Sequence, residues 1–139
     1  MQANRYLKSK MMDHIDHALG RPVDPMRESY RNRYVASLNE AREFEDSAYW
    51  SRNYKDDRVV SFSVTEDGRR ALRDHLNKIE DPWRLFSIEI EFDGEISTST
   101  VAAKSQSKAR YSKYLDIADA LPDLTFSDFM KISKVRVDA

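Results

Sequence analysis

Arg58-Val-Val-Ser-Phe-Ser-Val-Thr-Glu-Asp-Gly-Arg-Arg-Ala-Leu72 passes from one periodicity into another within fifteen residues. Val60, Phe62 and Val64 alternate with Ser61 and Ser63, the period-two pattern of a half-buried strand over 58–64. Thr65 then offers a hydroxyl oxygen to the first free amides of a helix, and Glu66 and Asp67 lie against its positive end. Ala71, Leu72, Leu76 and Ile79 recur at helical spacing, predicting a helix over 66–79 with that stripe in a core.

Upstream, Leu7, Met11, Ile15 and Leu19 predict a helix over 5–19, stopped by Gly20 with Pro22 and Pro25 beyond it. Met26, Tyr30, Tyr34 and Val35 predict a second helix over 26–37. Ala41, Phe44 and Ala48 predict a third over 39–53, with Asn39 as its N-cap. Three helices, a strand and a final helix make a winged-helix-like N-terminal half. Glu80-Asp81-Pro82 reads as a linker, because proline disfavours helical geometry at the residue before it.

The chain beyond reads differently. Phe86, Ile88, Ile90 and Phe92 alternate with Ser87, Glu89 and Glu91, and Asp93-Gly94 favours a tight hairpin turn. A Thr/Ser/Val-rich strand returns over 95–103. A helix over 106–121 carries Ala109, Tyr111, Tyr114, Leu115, Ala118 and Leu121. Thr125-Phe-Ser-Asp128 caps a short helix, and Val135-Arg-Val137 closes the chain as a third strand. The expected fold is α+β: a helical winged-helix-like module over 1–80 and a small ββαβ antiparallel-sheet module over 81–139, packed together.

Composition narrows the chemistry. A 139-residue chain with 40% apolar and 34% charged residues supports one ordinary domain or two very small ones. With no cysteine, disulfides, thiolate metal sites and cysteine nucleophiles are excluded, and a reducing compartment fits. No apolar run approaches the roughly 20 residues that span a bilayer. The expected location is the cytoplasm of a bacterium or of an infected bacterial cell. The net charge of -1 is unevenly spread. Residues 1–34 carry seven Lys/Arg against four Asp/Glu, residues 39–57 carry six acids against three bases, and residues 104–114 carry four bases and no acid.

Two clusters stand out as binding candidates. Arg27, Arg31 and Arg33 interleave with Tyr30 and Tyr34, the densest basic-aromatic group, of types enriched in protein interfaces and in nucleic-acid contacts. Lys104, Ser105, Ser107, Lys108 and Arg110 surround a strand-to-helix turn whose free amides suit a phosphate or carboxylate. A solvated helix face, capped by Ser105 or Ser107, explains the same residues. His14 and His17 share a helix face, and Glu89 and Glu91 share a strand face. Neither pair comes with the further ligands a metal site needs, so no metal, cofactor or catalytic set is expected. In the helix expected over 39–53, the stretch Asn39–Ser47 carries Glu40, Glu43, Glu45 and Asp46 against Arg42, the wrong charge for a face that meets phosphates.

His17-Ala-Leu-Gly20 followed by Ser29-Tyr-Arg-Asn32, then Val64-Thr-Glu-Asp-Gly-Arg69, resembles segments of small uncharacterised bacteriophage and prophage proteins. Val101-Ala-Ala-Lys-Ser-Gln-Ser-Lys-Ala-Arg-Tyr111 and Leu121-Pro-Asp-Leu-Thr-Phe-Ser-Asp128 are similar to the same group. The resemblance covers about half the chain, and residues 37–57 depart from it. It implies a viral or prophage origin and transfers no activity. The expected function is therefore non-catalytic: an accessory protein that contacts a protein partner of the phage or its host, including host defence. A nucleic-acid-binding regulator is the alternative, and a metal-dependent hydrolase the second.

Overall fold

The computed structural model describes residues 2–27 and 31–138 and divides the chain into two compact units, Gln2–Asp81 and Pro82–Ala139. Together their described residues form an α+β fold with five helices and two three-stranded antiparallel sheets.

The first unit runs α1 (Lys10–Ala18), β1 (Tyr34–Ser37), α2 (Leu38–Glu45), β2 (Trp50–Lys55), β3 (Val59–Val64) and α3 (Glu66–Lys78). Its sheet has the order β1-β3-β2. Val60, Phe62 and Val64 of the central strand β3 point into the core, where they meet Ile15, Leu19, Phe44, Trp50, Leu72 and Leu76. Burying each of the large apolar side chains contributes about 1.5–3 kcal/mol. Phe44 is the hub of an aromatic cluster, 4.7 Å from Trp50 and 5.3 Å from both Phe62 and Tyr34 between ring centroids.

The handover from β3 to α3 follows the local chemistry. Thr65 caps α3 by accepting from the Gly68 amide, and its own hydroxyl donates to the Ala48 carbonyl at 2.6 Å. Gly68 packs against the 48–49 turn so closely that a Cβ there would lie 2.6 Å from the Tyr49 carbonyl oxygen and 2.7 Å from Val64 Cγ1. Both long helices end alike. Gly20 (φ 79°) and Glu80 (φ 55°) take the left-handed conformation, and the next amides, of Arg21 and Asp81, reach back to the carbonyls of Asp16 and Leu76.

Several expectations for this unit fail. The second helix, expected over 26–37, is absent from its described part: residues 31–33 are irregular and 34–37 form β1. Tyr34 and Ala36 pair with Phe62 and Val60, so tertiary pairing overrides a spacing that mimicked a helix. Asn32 extends that ladder with its side chain, whose Oδ1 accepts from the Val64 amide and whose Nδ2 donates to the Val64 carbonyl. The third helix ends at Glu45, and Trp50–Lys55 is a strand, which gives the β2–β3 hairpin its second arm. Its cap is Ser37, not Asn39: Ser37 and Glu40 form a reciprocal capping box. The first helix begins at Lys10 instead of residue 5, and Ile79 is the exposed C-cap of α3 instead of a core residue. The described N-terminal half thus sets three strands beside its three helices, where one strand was expected.

The second unit runs β4 (Arg84–Phe92), β5 (Glu95–Ala103), α4 (Gln106–Ala118), α5 (Phe126–Ile132) and β6 (Ser133–Val137), with sheet order β5-β4-β6. Asp93 and Gly94 both have positive φ, 51° and 79°, which matches the right-handed twist of the flanking strands and sets the β4–β5 register. Phe86, Ile88 and Ile90 face the helices and pack with Ala109 and Phe129. Thr125 caps α5. α4 stops at Ala118 instead of residue 121 and buries only Ala109 fully, and Phe92, Tyr111, Leu115 and Leu121 are exposed.

Candidate functional site

The basic-aromatic cluster lies where the C-terminus of α1 meets the start of β1. Tyr30 falls outside the described residues. Arg31, exposed, caps the end of α1, its Nε and Nη2 donating to the His17 carbonyl at 3.1 and 2.8 Å. The Arg33 amide donates to the Ala18 carbonyl at 3.1 Å, which fixes the segment against the helix and leaves the Arg33 side chain exposed. Tyr34 is half-buried under it. Its ring stands 5.1 Å from His14 and 6.1 Å from His17, and its hydroxyl donates to Glu40 Oε2 at 3.1 Å. Burial, followed by that hydrogen bond to a carboxylate, raises the Tyr34 phenol above its ordinary value. His17, Arg31, Arg33, Tyr34 and Val35 line one open concavity. Arg27 does not belong to it: its guanidinium reaches Asp24 at 3.6 Å.

His17 is a second lining group whose titration is shifted. Burial, Arg31 and Arg21, in that order, lower its pKa below 6.5 and favour the neutral imidazole. His14 packs tilted against Tyr34 at 5.1 Å and edge-on against Phe44 at 5.5 Å, so the two histidines serve ring packing. Among the described residues, no group of three or more His, Cys, Asp or Glu side chains could hold a metal ion.

The anion candidate of the second unit is split by the structure. Ser105 caps α4 by accepting from the Lys108 amide at 3.1 Å, which occupies one of the amides an anion would use. Arg110 turns to β6, where its Nη2 donates to the Ser133 carbonyl at 3.4 Å. Lys104 lies over the Trp83 ring at 5.8 Å. Ser107 and Lys108 stay on the exposed side of α4. The five residues therefore do not converge on one point.

Glu89 and Glu91 face away from the helices, as alternation requires. Glu89 stands opposite Lys134 on one side and Thr98 on the other, and Ser87 opposite Arg136. The lysine that strand alternation did not reveal near Glu89 thus arrives from β6, forty-five positions along the chain by number difference. One basic residue facing one acid, with no third carboxylate beside them, makes a charge-balanced sheet face rather than a metal centre.

Sequence reasoning missed the most buried polar feature altogether. Arg5 and Asp16, 7% and 0% exposed, pair at 2.9 Å. Arg5 also reaches Asp81 at 3.1 Å and the Pro22 carbonyl at 2.7 Å. Arg21 joins Asp16 at 3.1 Å and Asp13 at 2.8 Å. Burial raises the Asp16 carboxyl above its ordinary value, and the two guanidiniums pull against that rise. Asp13 is less buried. Its burial is outweighed by the hydrogen bonds from Arg21 and from the Leu7 amide, so its pKa is lowered. Only the alternation of charge along 5–21 hinted at this network; its fifth member lies 76 positions from Arg5. Its members bond one another, so it ties residues 2–7 and the α3 terminus to α1.

Comparison with known proteins places no relative beside this geometry: no family model, no curated protein and no solved structure matches the chain.

Proposed function

We propose that this chain is a non-catalytic phage or prophage accessory protein that acts by binding another protein of the phage or host, host defence machinery included. The concavity lined by His17, Arg31, Arg33, Tyr34 and Val35 carries this reading. It combines an aromatic floor, an exposed apolar edge at Val35 and cationic groups, the composition of a docking surface for an acidic protein segment. Among the described residues its lining holds no carboxylate. The phage origin rests on the segment resemblance alone.

The element order αβαββα, the sheet order β1-β3-β2 and the β2–β3 hairpin support a winged-helix-like scaffold for the first unit. Electrostatics and connectivity argue against using it on DNA. Between β1 and β2 stands one helix, α2, where helix-turn-helix recognition needs two. Glu43 and Glu45 on the exposed side of α2, and Asp56 and Asp57 at the hairpin, would face phosphates. No helix among the described residues is long and apolar enough to cross a membrane.

The test is a photo-crosslinker placed at Val35 and a charge reversal, Arg33→Glu, used in capture from infected bacterial lysate with and without nuclease. A specific crosslinked protein that survives nuclease and disappears with Arg33→Glu is the expected result. Capture that nuclease abolishes, with oligonucleotide binding that weakens steeply with salt, would replace this reading with the nucleic-acid one.

A further inference from the structure

Natural sheets guard their free edges with short strands, bulges, proline or lysine. Of the four sheet-edge strands among the described residues, three are guarded in that way. β1 has four residues, β6 has five with Lys134 and Arg136, and β2 carries Arg52 and Lys55 around a register shift between Arg52 and Tyr54. β5 has none of these devices. It runs nine residues, Glu95–Ala103, in unbroken register with β4 and contains no proline, lysine or arginine.

The hairpin turn decides which of its groups are free. A two-residue turn closes on a hydrogen-bonded pair, here Phe92 and Glu95, and bonded pairs recur at every second residue. The odd-numbered residues of β5 therefore bond β4. The N–H and C=O groups of Ile96, Thr98, Thr100 and Ala102 point out of the sheet edge.

We propose that β5 pairs antiparallel with β5 of a second copy of this chain, about a two-fold axis at Ser99, joining two three-stranded sheets into one of six strands. Self-complementarity of the strand carries the argument. In this register, and in no other, all nine residues overlap and every outward-pointing group meets another. Thr98 stands opposite Thr100 of the partner subunit, and Ile96 opposite Ala102 of the partner subunit, polar against polar and apolar against apolar. The strand's single acid, Glu95, lies at one end, and Lys104 follows the other end. In this register each Glu95 stands opposite Ala103 of the partner subunit, so the strand's one acid meets no acid of the other copy. A shift of two residues sets Ile96 against Thr100 or Lys104 and strands one end of the edge. A shift of one sets outward-pointing groups against side that bonds β4. The proposed register forms about eight backbone hydrogen bonds, two for each of four reciprocal pairs. The contact is isologous, so it closes at a dimer. It is independent of the docking concavity on the first unit.

Sedimentation equilibrium of the full chain tests it. The expected mass is about twice 16.3 kDa. Thr98→Pro removes an amide that faces away from β4, so the β4–β5 ladder survives, and association weakens on the order of a hundredfold through two lost bonds per dimer. Thr98→Lys, which guards the edge without altering the backbone, also yields monomer, and Thr98→Val keeps the dimer. Amide hydrogen exchange separates edge opening from unfolding. Ile96, Thr98, Thr100 and Ala102 are protected in the wild type and lose protection in Thr98→Lys, while Ser97, Ser99 and Val101 keep theirs. A monomeric wild type, or a dimer that persists in both the proline and lysine variants, overturns the proposal.

Discussion

Replacing Asp16 with alanine removes the centre of the buried ion network and leaves its cations behind. Asp16 is fully buried and accepts from Arg5 at 2.9 Å and from Arg21 at 3.1 Å. Removing one member of a buried pair costs about 3–5 kcal/mol, because the remaining charge stays out of water without its partner. Arg5 would keep the Pro22 carbonyl and Asp81, and Arg21 would keep Asp13, so the loss belongs at the lower end. A loss of about 3 kcal/mol is large beside the roughly 4–12 kcal/mol expected for a unit of this size. In a domain of 60–100 residues it lowers the melting temperature by roughly 12–24 °C. Trp50 sits in the core of the first unit and Trp83 belongs to the second. Urea unfolding in a Trp83→Phe background, followed by Trp50 fluorescence, therefore reads the first unit alone. The double variant Arg5→Met with Asp16→Leu removes both charges and should recover most of the loss, since an apolar pair of similar volume replaces a buried ion pair at little cost. A loss below about 1 kcal/mol would make the network no stronger than a surface pair and refute this account. So would a double variant no more stable than Asp16→Ala.

Gly68→Ala tests the close approach of α3 to the 48–49 turn: its Cβ would collide with the Tyr49 carbonyl, which is already bonded to the Thr65 amide. We expect a loss of about 1–3 kcal/mol in urea unfolding, against the gain of about 1 kcal/mol that helix propensity alone predicts. A gain would mean that the turn is free to move. The stability of the first unit should also fall on acidification below pH 6.5. The folded pKa of His17 lies below its unfolded 6.5, so the unfolded chain binds the extra proton first and stability drops until the folded value is passed. His17→Gln should flatten the profile between pH 6.5 and the folded value; superimposable wild-type and variant profiles there would sink the assignment.

The local signals of this chain were legible in the sequence because they depend on neighbours along it. Thr65 caps α3 whatever surrounds it, Asp93-Gly94 forms its turn from backbone preference, and Val60, Phe62 and Val64 declare one face of a strand by alternation. The β-β-α-α-β order of the second unit follows from such signals. The tertiary structure decided what residues 31–55 become. Tyr34 to Ser37 and Trp50 to Lys55 are strands only because β3 lies between them, and no local pattern announces a partner that is remote in sequence. The candidate surface divides along the same line. The sequence could name Arg31, Arg33 and Tyr34, but only the folding of β1 against α1 set them around one concavity with His17, turned Arg110 away from Lys104, and buried Arg5 and Asp16 together. Charge and alternation are properties of a chain; which charges meet is decided where the chain returns to itself.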